Sequence, residues 1–356
     1  MKTYFTSLQA GRGVGAIAVV LAHVTIFSAD HLRRPFLGGA WNAATVVVDF
    51  FFVLSGFIIL YIHRHALGVP SESMPYLYRR IVRIYPLVIV VTALKVAYMF
   101  AHGSGFFPEH KRDVWYIISS TLLLPRDDPP FLEVSWPLGY EVLCYLLFVL
   151  AICHGRRIVP WACAHACGCL LLNLPHHLQM PLPIRFVFSP YVLEFYLGCV
   201  AAHLVSTRSM QPAAGGACVC AGMLLLGAGI WRCDAVVRWL FNLHHLYWGA
   251  ALFLIVLGAV VLERQTTLRP PRWLCFLGDA SYSIYLMHTN VIVFGGFMIQ
   301  RRLAGFESHL TLTLSLLAGA GLMAGVLCYV YLEKPLLRWL QTKAPRRADL
   351  PDAKKI

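Results

Sequence analysis

Ten apolar runs follow one another along this 356-residue chain. Most have about the 20 residues an α-helix needs to cross a bilayer core. They fall near 7–28, 44–62, 80–101, 136–153, 158–173, 186–206, 213–231, 244–262, 280–299 and 311–332. The run at 158–173 is short, and an eleventh, WYIISSTLLL at 115–124, is expected to be re-entrant or interfacial. Apolar residues run all round these segments, whereas a β-barrel would alternate. Hydrophobic residues make up 58% of the chain and charged residues 13%; soluble domains carry about 45–50% and 25%. A globular core of this size cannot hide so much apolar surface. Disordered chains, coiled coils, disulfide scaffolds and ordinary soluble enzymes are excluded. The fold class expected is all-α: a polytopic integral membrane bundle of about ten transmembrane helices over residues 1–340, followed by a polar, disordered cytoplasmic tail at 341–356.

Lys2 before an apolar run could mark a signal peptide, but Arg12 interrupts the start and the run is long, so a retained first span is expected. Formal net charge is +13, which basic cytoplasmic loops or an anionic ligand would each explain. With the N-terminus in the cytoplasm, the inner loops and tail hold 18 Lys and Arg and the outer loops 10. Both termini are therefore expected inside. Among the eleven cysteines, Cys163, Cys167 and Cys169 with His165 look like a metal cluster. On a helix they point in different directions, so small packing residues are expected instead and no metal site.

Ionisable side chains inside a membrane are costly and mark sites by default. Arg12 and His23 are eleven residues apart and share a helix face, roughly 16 Å apart along the axis. Arg12 could also snorkel, and His23 could bridge helices. Asp49 opens the second span and needs a cation, for which Arg12 is the expected partner. Ser55-Gly56 follows, where a backbone or ligand could approach closely. Arg79, Arg80 and Arg83 at the start of the third span form a fork suited to phosphate groups, although topology alone would also gather them. Glu141 lies inside the fourth span, flanked by Trp136 and Tyr145. Tyr282 and Tyr285 step toward His288 in the ninth span, and Glu333 closes the tenth. His176-His177 and His244-His245 sit in loops or at span ends without acidic partners. Nucleophile elbows, phosphate-binding loops, dinucleotide fingerprints and zinc-protease motifs are absent.

Taken in order, Arg12-Gly13 with His23, VDFFFVLSGF, RRIVRIYP, SWPLGYEVLCY, YSIYLMH and YLEKP resemble the acyltransferase-3 family of membrane O-acyltransferases, which modify bacterial surface polysaccharides and related acceptors. The resemblance covers essentially the whole chain. Ending after its tenth span, the chain is similar to members without an SGNH-type domain.

The resemblance implies an acyl-CoA donor, acetyl-CoA as expected co-substrate, used from the cytoplasmic side of a bacterial inner membrane. The acceptor would be a polysaccharide, glycolipid or lipid-linked sugar; nucleic acid is not an expected partner. The family's functional residues carry over onto Arg12, His23, Ser55, Gly56, Arg79, Arg80, Arg83, Glu141 and His288. His23, Arg12 and Glu141 are the expected catalytic set. Arg79, Arg80, Arg83, Ser55 and Gly56 would hold the donor, and Asp49, Trp136, Tyr282 and His288 the acceptor. A transporter or flippase is the rival reading, and a different membrane acyltransferase built on His and Asn a second. The chain's halves share no repeat, which counts against the transporter.

Overall fold

A computed structural model describes residues 5–102, 108–174, 180–232, 244–267, 269–302 and 309–345. Among them all regular structure is helical. The helices are α1 (Thr6–Leu32), α2 (Val47–His63), α3 (Ser73–His102), α4 (Val114–Thr121), α5 (Trp136–His154), α6 (Val159–Asn173), α7 (Leu182–Val187), α8 (Pro190–Thr207), α9 (Pro212–Trp231), α10 (His244–Gln265), α11 (Arg272–Asp279), α12 (Ser281–Arg302), α13 (Leu310–Cys328) and α14 (Lys334–Gln341). A π-helical turn, Tyr329–Glu333, joins the last two.

Nine described segments are long and apolar enough to cross a membrane. One of them, Glu133–Asn173, contains both α5 and α6. Gly155 breaks it, with φ of 59° where a side chain would be strained. Each of the ten expected runs therefore meets a helix, and α6, with 15 residues, is the short one. The interfacial run becomes α4, eight residues long, whose first turn is capped by the Asp113 carboxylate accepting from Trp115 N–H. Of the expected tail, residues 346–356 lie outside the described residues.

The chain divides into two compact units. The first comprises Met1–Tyr61, Asn173–Leu178 and Ser189–Glu333. Here α1 serves two apolar clusters. Phe5 and Leu8 pack with Val53, Phe57 and Tyr61 of α2, Val205 of α8, and Trp248 and Val256 of α10. Further along α1, Val20, Val24 and Phe27 pack with Ile284 and Ile292 of α12 and Leu317 of α13. A distant carboxylate fixes the start of α1: Glu263 of α10 accepts from the backbone N–H groups and hydroxyls of Thr6 and Ser7, at 2.6–2.9 Å. Helix starts leave such donors unsatisfied, and a buried anion is the strongest answer to them. Two glycines let α2 and α8 touch through their backbones. A Cβ on Gly56 would lie 1.9 Å from Phe195 O, and one on Gly198 1.9 Å from Val53 O.

The second unit comprises Ile62–Leu172, Gln179–Phe188 and Lys334–Ile356. Its centre is aromatic, with the Tyr76 ring 5.1 Å from His63 and 5.3 Å from Phe148. Pro86 lies inside α3 and leaves the Val82 carbonyl without its helical donor. The Tyr78 hydroxyl donates to Leu340 O at 2.9 Å and ties α14 to α3.

Candidate active site

Within the first unit, α1 and α12 bring His23 and His288 together. Their rings meet edge-on with centroids 4.8 Å apart. His288 is fully buried, while His23 is half-buried. His288 Nδ1 lies 2.9 Å from Ile284 O, one turn back, so it carries the proton and donates. In the neutral ring Nε2 then accepts, and it lies 3.2 Å from His23 Nδ1. His23 Nδ1–H also faces Val19 O at 2.9 Å. The tautomers assigned from these partners leave the ring lone pair of His23 on Nε2. Of the two tyrosines stepping along α12, Tyr285 brings its ring to 6.1 Å from His288; Tyr282 is half-buried.

Arg12 lies near the start of α1, where its Nε and a terminal nitrogen donate to Ser281 Oγ at 3.2 and 3.0 Å. Three residues earlier, the Gln9 amide donates to Asp279 Oδ1 at 2.5 Å. These bonds pin α1 to the junction of α11 and α12, the helix that carries His288. On the far side of that junction, Ser283 Oγ donates to Glu333 Oε2 at 2.5 Å, tying the π-helical turn to α12.

The expected Arg12–Asp49 pair is replaced by another. Asp49 lies 2.6 Å from His245 Nδ1, which also stands 3.8 Å from Glu194 Oε1. Arg12 and Asp49 leave different faces of their helices. Gly11 and Gly15 meet Phe50, Val47 and Phe51, whereas Arg12 turns to Ser281. The reading of His245 as lacking an acidic partner is overturned as well. The ligand atoms of Asp49, Glu194 and His245 all lie within 4.8 Å of one another. Two carboxylates and an imidazole are a donor set able to coordinate a divalent cation. The three residues lie far apart in sequence; Asp49 was marked as needing a partner, whereas Glu194 was missed, although an acid inside an apolar run was a signal that could have found it.

At Gly56 the close approach is made by the α8 backbone, with Ser55 half-buried beside it. In α6, Cys169 is buried while Cys163 and Cys167 are exposed. Packing therefore accounts for one cysteine of the three. His165 Nε2 faces Val187 O at 3.0 Å.

The second unit holds the arginines. Arg80 is half-buried: it meets His63 Nε2 at 3.2 Å, and its guanidinium stands 5.4 Å from the Tyr76 ring and 5.6 Å from the Tyr145 ring. Arg80 Nε is buried and has no hydrogen-bond partner among the described residues. The Tyr145 hydroxyl donates to Glu141 Oε1, so the acid, the phenol ring and the cation form one chain. Arg79 and Arg83 are half-buried on the same helix. Trp136, 40% exposed, meets Tyr140 edge-on at 6.3 Å.

An all-α, multi-span membrane protein with a buried histidine pair and a helix carrying three arginines is the class that these features define. The acyltransferase-3 family model, an acyltransferase domain, matches residues 5–336, and the chain belongs to that family. Among curated proteins, it is 29% identical over 307 residues to the exopolysaccharide production protein ExoZ of Rhizobium meliloti, covering 82% of this chain and 89% of that one. It is 28% identical over 379 residues to the acyltransferase MdmB of Streptomyces mycarofaciens, covering 95% and 93%. The O-acetyltransferase OatA of Staphylococcus aureus is 22% identical over 365 residues, which cover 94% of this chain but 57% of OatA. No solved structure matches significantly.

Proposed function

We propose that this acyltransferase moves an acetyl group from cytoplasmic acetyl-CoA to a hydroxyl of an exported polysaccharide or its lipid-linked precursor, in a bacterial inner membrane with both termini in the cytoplasm. The observation that carries the reading is the His23–His288 pair. A sugar hydroxyl is a poor nucleophile and needs a base within hydrogen-bond reach. His288 holds the His23 proton on Nδ1, which leaves Nε2 to take the hydroxyl proton. As that proton moves to Nε2, the sugar oxygen bonds to the thioester carbonyl carbon. The C–S bond then breaks, and the leaving thiolate takes the proton back as CoA-SH. Imidazolium charge on His23 is delocalised toward His288 Nε2 during the step. Arg12, pinned beside the same helix, is assigned to the developing oxyanion or to orienting the donor.

Arg79, Arg80 and Arg83 are assigned to the donor's phosphates. The buried Arg80 Nε supports this, since an unmet charged donor suits a phosphate oxygen. Glu141 acts through Tyr145 and so steadies Arg80 rather than touching the acyl group. Names of relatives support the acceptor class: one is an exopolysaccharide production protein and another an O-acetyltransferase. Transfer is read as direct, without an acyl-histidine.

The test compares cells lacking this gene, complemented with wild type or His23→Ala at matched membrane levels, by proton NMR of O-acetyl groups on their glycans. Wild type should restore the signal and His23→Ala should not. Restoration by His23→Ala removes His23 from the chemistry. Trapping a labelled acyl group on His23 replaces direct transfer with a two-step route.

A further inference from the structure

The second unit contains a cleft of about 320 Å³ between α4, the loop after it, the start of α5 and α7. Its size falls in the range of small-molecule sites, about 300–1,000 Å³. The histidine pair is not among its lining residues.

Although the segment 122–135 is mostly irregular, its backbone is held at many points. Ser120 Oγ accepts from Phe131 N–H at 3.0 Å and from Arg126. Lys95 Nζ donates to Phe131 O at 2.8 Å, and the Tyr116 hydroxyl donates to Pro129 O. The Arg126 guanidinium lies 3.9 Å from the centre of the Tyr116 ring, while its Nε is buried and has no hydrogen-bond partner among the described residues. Leu123 adopts φ of 57°, a strained value for a branched residue, which such a framework must over-determine. A wall fixed this firmly loses little entropy when a ligand arrives.

The lining chemistry is mixed in a particular way. Arg126 and Arg185 oppose Asp127 and Asp128, and Arg185 pairs with Asp127, so the charges cancel. An anionic headgroup or a phosphate gains no net attraction there. Aromatic rings supply the rest: Phe186 stacks on Tyr140 at 4.6 Å, and Trp136 stands edge-on to Tyr140 with its own surface exposed. A neutral ring with many hydroxyls fits both halves, its C–H face lying on an aromatic ring and its hydroxyls meeting carboxylates and guanidinium groups in pairs.

We infer that this cleft is a saccharide subsite holding one sugar ring of the acceptor on Trp136, with Asp128 and Arg126 reading its hydroxyls. The inference rests on the glycan-acceptor reading above; to Trp136, already expected to meet the acceptor, it adds the cleft and the charged residues that would hold one sugar ring there.

Full-length protein in nanodiscs is tested by saturation-transfer NMR with the methyl glycosides of glucose, galactose and mannose. Wild type should transfer saturation to the ring protons of at least one glycoside. Trp136→Ala should weaken that affinity about five- to tenfold, as loss of an aromatic contact does. Trp136→Phe should restore most of it, and Asp128→Asn should weaken it without changing monodispersity. Absence of transfer from wild type to all three glycosides overturns the subsite, and so does equal transfer in wild type and Trp136→Ala. Thiol release from acetyl-CoA, measured on the same preparations, separates the two readings. Thiol release with saccharide binding indifferent to Trp136 defeats the subsite alone. Binding that depends on Trp136 without any thiol release defeats the acetyl-transfer reading and leaves the subsite standing.

Discussion

His288 is a positioning residue in the proposed chemistry, because it meets the base and not the reacting atoms. His288→Asn keeps a side chain of similar reach but alters the partner that fixes the His23 proton. Its kcat should fall by about 10²–10⁴-fold, the usual worth of a correctly placed base. KM for acetyl-CoA should stay within a factor of about two, a split that steady-state thiol-release kinetics reads directly. A merely structural role would instead lower the folded fraction and leave the kcat of the surviving protein intact. Glu263 makes a second prediction at this scale. Its carboxylate takes four hydrogen bonds at the start of α1, and Glu263→Gln replaces one acceptor oxygen with a donor. Charge-assisted bonds contribute about 1.5–3 kcal/mol each. The variant should therefore melt several degrees lower in a detergent thermal-shift measurement, and an unchanged Tm would show that the cap carries no stability. Neither partner was legible beforehand. Glu263 reads as the polar end of a span, and its targets Thr6 and Ser7 lie at the other end of the chain.

Among the helices, small residues decide which neighbours can meet. Gly56→Leu would drive a side chain into the Phe195 carbonyl, and backbone cannot step aside as a flexible side chain can. The protein should lose its monodisperse peak on size-exclusion chromatography, or melt well below wild type. Ser55→Ala, beside it, should leave both unchanged. Retention of a wild-type profile by Gly56→Leu would mean that α2 and α8 do not touch as described. Span positions were legible because length and hydropathy dictate them; packing partners were not. Apolar residues cover all sides of helices such as α9, so no stripe announces which face meets which helix. Asp49 illustrates the limit: its depth in α2 marked it as needing a partner, but the choice between Arg12 and His245 depended on helix rotation. Glu194 faced the same obstacle.

Taken whole, the chain separates its expected tasks between two compact units, with the histidine pair in one and Arg79, Arg80 and Arg83 in the other. Kinetics should divide along the same line. Arg83→Ala should raise the Kd for acetyl-CoA by about tenfold, the loss of one charge-assisted contact. His23→Ala should leave that Kd near the wild-type value. Calorimetry with a non-hydrolysable CoA thioether measures both, and equal affinity in Arg83→Ala and wild type would relocate the phosphate site. The six ordered motifs made the family legible, because each keeps its residue types and order. The cleft beside α4 was not legible for a physical reason: nothing in the composition of LLPRDDPPF shows that Ser120 and Lys95 hold its backbone in place.

The Glu263 cap also sets a timetable for biogenesis. The first helix enters the bilayer at the beginning of synthesis, yet the carboxylate that completes it is made more than 250 residues later. His288 follows after that. At roughly 5–20 residues per second, tens of seconds pass before either arrives. During that interval the nascent protein has an unfinished helix start, and on the proposed mechanism His23 has yet to meet the residue that fixes its proton, so transfer would run well below its full rate until the last spans are in place. On that reading, assembly and full activity are completed in the same stretch of translation.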